Sequence, residues 1–499
     1  MANSLNISKE LFEIIDNEIV QIIDDNLAYK LSIDDANTND LNKIYTDFVR
    51  PFDLSKTPLF RTKLVKLENN KMLFLLDMHH IISDGTSLGI LLQELCDLYN
   101  DIELTKKQID YKDFTLWEKE QFESEEFKNA KEYWVNQFKD EIPLLNMPTV
   151  NPRPSVQSFE GSNYHTKLSK NIFDKVNKVA KELNITPYML MLSCYYILLS
   201  KYTSQDDIVV GTPIVGRELP ELSNMLGMFV NTLAMRNKIE SSLSFKEFSK
   251  NIKENCLNSF KNQSYPFDML VKDLKINRDT SRNPLFDVMF VYQNNGYPEI
   301  TFKDIKTEYF IPDNNISKFD LTLEVLPINN EYDLRFEYCT KLFDEDFIKR
   351  FSSHYINILN AILENHEVKI ADIDMLSLEE KNQILYDFNN TKVDYPKDKT
   401  IVDLFEEQVQ KTPDNIAVVF EDQKLTYREL NEKANSLAHY LKNIGIIHNR
   451  EFEEGVLHIE FYDEDGDIKI KLGNDEVIDF IDIGIAILAK EDMPNYNTI

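Results

Sequence analysis

Met78-His79-His80-Ile81-Ile82-Ser83-Asp84-Gly85-Thr86-Ser87 follows an apolar run, Met72-Leu73-Phe74-Leu75-Leu76, and precedes an amphipathic helix pattern. The run reads as a strand that delivers the two histidines to its end. Pro58 to Leu67 supplies its hairpin partner across Glu68-Asn69-Asn70. Ser87 is placed to cap the following helix, whose apolar face is Leu88, Leu91, Leu92, Leu95 and Leu98. A histidine on a strand end can be reached by substrate, and imidazole suits proton transfer near neutral pH. It could take a proton from an amine or hydroxyl attacking a carbonyl. Asp84 could orient an imidazole or hold the loop through a salt bridge. Gly85 would let the chain turn and bring its N–H to a ligand. A bland reading stands beside this one: two histidines that cap a strand and satisfy backbone groups. A metal site lacks a third nearby His or Cys, so no metal is expected. The chain has no HExxH motif.

Outward from this stretch, residues 11–29 read as two short strands around Asp16-Asn17, and 37–49 as a helix ending before Arg50-Pro51. One helix is expected over 114–138, with Trp117 and Trp134 inside it. Four prolines between 141 and 160 mark a connection. Thr186-Pro187 starts a helix that is apolar nearly all round to Tyr202, so it is expected to be buried. A buried strand follows at Asp207 to Gly211. Further strands are expected at 286–293, 320–327 and 331–338, and a long helix at 343–364. Residues 376–400 read as a linker and 401–446 as a short α/β piece with a helix from Tyr427 to Lys442. Residues 447–499 hold 4 basic and 14 acidic residues, with an alternating hairpin pattern at Val456 to Tyr462 and Asp467 to Leu472.

The 499 residues allow two to four domains. A formal charge of −30 argues against a nucleic-acid partner. Cys96, Cys194, Cys256 and Cys339 form no CxxC pair and read as buried thiols of a reducing compartment. The N-terminus lacks a signal-peptide pattern, and the most apolar helical stretch, Tyr188 to Leu199, is shorter than the roughly 20 residues a bilayer needs. A cytoplasmic protein without membrane partners is expected.

Five motifs in order give the chain a resemblance to the condensation domains of nonribosomal peptide synthetases, over about residues 11–390. HHxxxDG is matched by His79 to Gly85, and YxDFxxW by Tyr111 to Trp117. GMFVNTxxxR is matched by Gly227 to Arg236, QxYPFD by Gln263 to Asp268, and RDxSRNPLF by Arg278 to Phe286. The resemblance implies an α/β fold of two chloramphenicol-acetyltransferase-like lobes in a V, with the histidines between them. Residues 1–150 would form the N-terminal lobe and 151–375 the C-terminal lobe. It implies amide formation between a donor acyl thioester and an acceptor aminoacyl thioester, both on phosphopantetheine arms of carrier domains. Carrier domains and adenylation or other synthetase subunits are thus the implied partners, and no cofactor is bound by the chain itself.

By the same resemblance His80 is catalytic, either as general base or by positioning the amine and stabilising charge, while His79 is structural. Asp84 would pair with Arg282, a buried pair whose breakage typically costs about 3–5 kcal/mol. The Gly85 N–H would serve the thioester carbonyl. Ser83, Asn231, Thr232 and Asn283 are candidates to line the tunnel, although Asn231 and Thr232 could equally just end a strand. Tyr111, Phe114 and Trp117 at helical spacing read as core, Pro266-Phe267 as a structural turn, and Arg278 with Asp279 as a surface pair. The His-His-Ile-Ile-Ser-Asp-Gly-Thr-Ser run resembles domains that join an L-configured donor to an L-configured acceptor.

Two departures accompany the match. The family opens with an SxAQ-type helix, a first strand and a helix ending in RHExLRT, and none of these precedes Leu11-Phe12-Glu13-Ile14-Ile15. The N-terminal lobe is therefore expected to be incomplete, weakened by lost burial of about 1.5–3 kcal/mol per large apolar side chain, or completed by another chain. At the other end, residues 401–446 resemble the opening of an adenylation domain through Leu425-Thr426-Tyr427-Arg428-Glu429-Leu430, without its phosphate loop. The acidic tail at 447–499 continues neither resemblance. Two rival functions follow: a non-catalytic fragment that docks carrier or adenylation domains, and a free-standing acyltransferase acting on a soluble amine or alcohol.

Overall fold

The computed structural model describes residues 10–462 apart from 25–28, 37–39, 105–108, 277–278, 294–299, 311, 313–314, 395, 421, 444–446 and 454–455. The chain forms two compact units that divide between Gln383 and Ile384. The first unit is α/β and opens with a hairpin of β1 (Glu10–Ile15) and β2 (Glu18–Ile23). Its turn residues Asp16 and Asn17 both adopt positive φ, a conformation these two residue types tolerate better than most. β3 (Ser32–Asp35) and α1 (Leu41–Phe48) follow, then β4 (Phe60–Lys66) and β5 (Met72–Met78). β3 lies parallel to β4 and β4 antiparallel to β5, and positive φ at Asn69 and Asn70 closes the expected hairpin. This three-stranded sheet has a small core: Leu59, Phe60, Ile82, Leu91 and Leu226.

β5 leads into α2 (Gly85–Tyr99), then α3 (Tyr111–Gln121) and α4 (Glu125–Gln137). The single helix expected over 114–138 is therefore two. Ser124 ends the run because its hydroxyl accepts the Phe127 N–H at 3.1 Å and starts a new helix. Trp117 sits on α3, while Trp134 on α4 is buried and donates to the Asn262 carbonyl at 2.8 Å.

The larger part of this unit comprises β6 (Gly161–Leu168), α5 (Lys170–Glu182), α6 (Pro187–Thr203), β7 (Asp207–Ile214), β8 (Asn231–Lys238), α7 (Phe245–Lys261), α8 (Phe267–Asp273), β9 (Val288–Tyr292), β10 (Leu321–Ile328), β11 (Glu331–Cys339), α9 (Glu345–Glu364) and α10 (Leu378–Asn382). Six strands form one mixed sheet in the order β6-β11-β10-β9-β7-β8, with β9 parallel to β10 and β7. α6 is buried from Met189 to Leu199, as its all-round apolar sequence requires, and Thr186 caps it through the Met189 N–H at 3.2 Å. Cys96, Cys194, Cys256 and Cys339 are buried free thiols. The start of the expected linker at 376–400 is anchored in this unit. Glu380 on α10 takes a hydrogen bond from buried His354 of α9 at 2.9 Å, and the other His354 nitrogen bonds to Tyr202 Oη at 2.7 Å.

The second unit holds α11 (Ile401–Lys411), the hairpin β12 (Ile416–Phe420) and β13 (Gln423–Thr426), and α12 (Tyr427–Asn443) around Leu430 and Ala434. β14 (Ile447–Glu453) pairs antiparallel with β15 (Val456–Tyr462). The strand expected at Asp467 to Leu472 lies outside the described residues, and the described partner of Val456 to Tyr462 is the segment before it. Among the described residues no single helix is long and apolar enough to cross a membrane.

Candidate active site

β5 ends at Met78, and its last ladder contact continues into the motif through the His79 N–H, which donates to the Leu59 carbonyl at 2.9 Å. His79 Nδ1 accepts the Ile81 N–H at 3.1 Å and so caps a single 3₁₀ turn, His80–Ile82. That bond requires a lone pair on His79 Nδ1. His80 is exposed, whereas Ile82, Ser83 and Asp84 behind it are buried. The His80 Nδ1 stands 2.8 Å from the Ser83 carbonyl oxygen. A carbonyl can only accept, so Nδ1 carries the hydrogen and the neutral ring presents an unshared pair on Nε2. A three-residue turn thereby orients one imidazole and selects its tautomer.

Asp84, not Ser87, is the N-cap of α2, and its Oδ1 accepts the Ser87 N–H at 2.7 Å. Ser87 instead faces inward. Its hydroxyl donates to the Gly227 carbonyl at 2.8 Å, and its oxygen takes the Gly227 N–H at 3.1 Å. Gly85 is the first residue of α2, with no left-handed φ, and a methyl group added there would meet nothing within 4 Å. The approach to α2 therefore asks no left-handed backbone of this glycine. What it provides is open room beside the helix N-terminus.

The Asp84–Arg282 pair expected from the resemblance does not form. The partner of Asp84 is Arg217, on the segment between β7 and β8, whose Nη2 lies 3.1 and 3.2 Å from the two carboxylate oxygens. Asp84 Oδ2 also accepts the Phe229 N–H at 3.2 Å. Arg217 Nη1 donates to the Leu222 and Met225 carbonyls at 2.5 and 2.6 Å, and its guanidinium lies 4.0 Å over the Phe229 ring. Arg282 precedes β9 and is captured by the nearer buried carboxylate of Asp287, while its Nη1 also donates to the Leu145 carbonyl at 3.1 Å. Arg153 pairs with Asp320 beside it. Burial, followed by the charge of Asp320, pushes Asp287 up to about 6.

These bonds bring three of the motifs together. The Tyr111 hydroxyl donates to the Met228 carbonyl at 2.7 Å, and Tyr111 and Phe114 pack on Phe229 with ring centroids 5.2 and 4.8 Å away. Tyr111 and Phe114 are packing residues, as their spacing suggests, but Trp117 stays 41% exposed. Gly216 has φ 67°, and a side chain there would lie 1.9 Å from the Phe229 carbonyl oxygen. Gly216 therefore lets Arg217 approach the 227–229 segment.

The tunnel candidates divide. Ser83 contributes its backbone oxygen to His80. Asn231 spends its whole amide on the chain: Nδ2 donates to the Gln263 and Tyr265 carbonyls, both at 3.0 Å, and Oδ1 accepts the Thr232 and Phe267 N–H groups at 2.8 and 3.1 Å. It is a bracket between β8 and the turn at Pro266-Phe267, with no polar capacity left for substrate. Thr232 lies opposite Pro213 in the β7–β8 ladder. Asn283 donates to the Lys318 carbonyl at 3.1 Å, and no hydrogen bond joins it to the histidine motif among the described residues. Arg278 lies outside the described residues, and Asp279 caps its own turn through Ser281. Arg217 was missed because Arg217, Arg236 and Arg282 all lie near strand ends. The sole local signal was a glycine immediately before it, which fits close backbone approach.

The model of the family described as "Condensation domain" matches residues 8–385, and that described as "AMP-binding enzyme" matches residues 405–451, past the expected end at 446. Gramicidin S synthase 2 of Brevibacillus brevis is 47% identical over 87% of this chain, which spans 10% of that protein. Bacitracin synthase 3 of Bacillus licheniformis is 44% identical over 87% of the chain and 7% of its own length. The chain therefore spans about a tenth or less of these relatives. A four-domain nonribosomal peptide synthetase solved with AMP and glycine matches in fold with a TM-score of 0.73 at 23% identity, over 90% of this chain and 35% of that one. The X-domain from teicoplanin biosynthesis matches with a TM-score of 0.69 at 19% identity, over 75% of this chain and 88% of that one.

Proposed function

This chain belongs to the condensation-domain family, and from that premise we propose that it joins a donor acyl thioester to an acceptor aminoacyl thioester, each carried on the phosphopantetheine arm of a carrier domain. The observation that carries the reading is the His80 Nδ1–H held by the Ser83 carbonyl, which leaves Nε2 free on an exposed ring. In the proposed step the acceptor amine attacks the donor carbonyl and a C–N bond forms. His80 Nε2 takes the amine proton, the C–S bond breaks, and the leaving thiolate receives that proton back. The first α2 amides, beside the open room at Gly85, are the candidate donors to the developing oxyanion. Asp84 and Arg217 do not touch substrate in this scheme, being 0% and 4% exposed. They fasten α2 to the 227–229 segment. The two substrates arrive on their partners' arms, so the proposed chemistry needs no cofactor resident in the chain. The 405–451 match fits an adenylation-domain opening, which makes other synthetase domains the proposed neighbours.

The test supplies a donor-loaded and an acceptor-loaded carrier and reads the acceptor arm by mass spectrometry. Dipeptidyl thioester that disappears in His80→Ala supports the reading. A cooperatively folded protein that yields no product with several carrier pairs supports the docking-fragment alternative, and product on a free amine alone supports the free-standing acyltransferase.

A further inference from the structure

We propose that Arg61 is a positioning residue for His80, acting through His79 by balancing the charge of Asp77. This deepens the amide-forming reading and rests on it for its kinetic arm alone. Arg61 on β4 and Asp77 on β5 are directly opposite in the ladder, and Asp77 precedes His79 by two residues, so both project from the same face of the extended chain. Arg61 Nε lies 3.3 Å from Asp77 Oδ2, and the two side chains are only 13% and 20% exposed. The guanidinium stacks 3.7 Å over the Phe52 ring, and that ring meets His79 edge-on with centroids 6.1 Å apart. Phe52 thus lies between Arg61, which stacks on its face, and His79, which meets it edge-on.

The pair is a poor candidate for a mere strand clip. Arg61 Nη1 and Asp77 Oδ2 are buried with no hydrogen-bond partner among the described residues, so no in-line bond ties the strands there. The backbone ladder from Phe60 opposite Met78 to Lys66 opposite Met72 already holds the register. What the pair does supply is charge. Asp77 and His79 stand two residues apart on one face of the extended chain, and burial raises Asp77 while the charge of Arg61 opposes the rise. The other charged or titratable groups facing the pair are Tyr45 of α1 and Arg50, which precedes Phe52.

The consequence concerns a single lone pair. The Ile81 N–H can donate to His79 Nδ1 only while that nitrogen carries no hydrogen. An Asp77 carboxylate left without its cation would draw a proton onto the His79 ring. A hydrogen on Nδ1 would abolish the cap of the 3₁₀ turn and swing His80 off its aim. Arg61 keeps the turn formed by cancelling Asp77.

The experiment uses the full chain with 15N-labelled histidine, reading the ring nitrogens of His79 and His80 from pH 6 to 8 beside the unfolding midpoint and the loaded-carrier assay. Arg61→Met is expected to lose the unprotonated Nδ1 signal of His79 at pH 7. Its kcat should fall on the order of tenfold to a hundredfold at little-changed KM, as misalignment of a reacting group does. Arg61→Met combined with Asp77→Asn, which restores neutrality, is expected to recover both. Should Arg61→Met fail to fold, the double variant and Phe52→Leu carry the test, with Phe52→Leu expected to broaden or shift the His79 signals. An unchanged His79 Nδ1 signal in a folded Arg61→Met protein overturns the proposal. So does a double variant no better than the single. A wild-type protein that makes no dipeptide defeats the amide-forming reading while the nitrogen signals still decide the role of Arg61.

Discussion

Asp84 and Asp287 are both buried carboxylates facing an arginine, and their surroundings make opposite demands. Asp84 receives two backbone N–H groups, from Ser87 and Phe229, besides Arg217. Asp287 has Arg282 on one oxygen, no hydrogen-bond partner for Oδ1 among the described residues, and the like charge of Asp320 beside it. The first is a charge whose every oxygen is bonded, used to tie two segments 133 residues apart. The second is a charge kept at a cost, on the loop that starts β9. A buried carboxylate crowded by another carboxylate, as Asp287 is, has the option of taking a proton. The lesson is that removing the two arginines should not have equal effects, and should not have the same pH dependence.

The largest effect is expected at Arg217. Arg217→Met leaves Asp84 charged and buried and frees the Leu222 and Met225 carbonyls, so unfolding in urea should show a loss of about 3–5 kcal/mol. Dipeptide formation should fall below detection with it, because α2 and the 227–229 segment lose their tie. A loss under 1 kcal/mol would break the comparison at its stronger end.

Arg282→Met should cost less, roughly 1–3 kcal/mol near pH 8. The sign follows from the raised value of about 6 for Asp287 against an ordinary 3.8. The folded state holds this proton more tightly than the unfolded chain, so stability from this group falls as pH rises from about 4 to 6 and is lowest above. Without Arg282 the carboxyl should be raised further, so the deficit of the variant should be full near pH 8 and shrink on acidification to pH 5. Urea unfolding at the two pH values checks this. A deficit that grows on acidification would show that Asp287 is held as an anion after all.

Asn231→Ala should be smaller or equal in cost, about 1–3 kcal/mol, because it unpairs the Gln263 and Tyr265 carbonyls and the Phe267 N–H together. KM for both loaded carriers should change little if the bracket alone is lost. A rise in KM without loss of stability would restore Asn231 to the tunnel.

The contrast also marks what could be read in the chain and what could not. Local features were legible: the Asp16-Asn17 and Asn69-Asn70 turns, the Thr186-Pro187 helix start and the buried α6 all follow from short-range propensity and pattern. The break at Ser124 was hidden because residues on both sides keep a helical period, and a cap competes with continuation by only about 1 kcal/mol. The partner of Asp84 was hidden for another reason. A buried carboxylate calls for a cation, but which of several arginines reaches it depends on chain paths between strands, and Arg282 had its own carboxylate five residues on. Asn231 looked like a ligand group because an amide at a strand start serves substrate or backbone equally well. Only the four filled bonds decide between them.

Gly85→Ala should give the smallest change in stability and is the sharpest separation of folding from chemistry. The residue is exposed, lies at the first position of α2 and has open space where a methyl group would go, so unfolding should shift by no more than about 0.5 kcal/mol, with a slight gain from alanine in the helix. Asp84, one residue earlier, would keep all its partners. If the thioester carbonyl sits against the first α2 amides, the added methyl fills the room that carbonyl needs, and the dipeptide rate should fall on the order of tenfold or more while the fold is untouched. An unchanged rate would place the reacting carbonyl elsewhere and leave Asp84 and Gly85 as architecture alone. A fallen rate at full stability would divide the motif cleanly, with Asp84 holding the helix in place and the glycine beside it leaving space for the reaction.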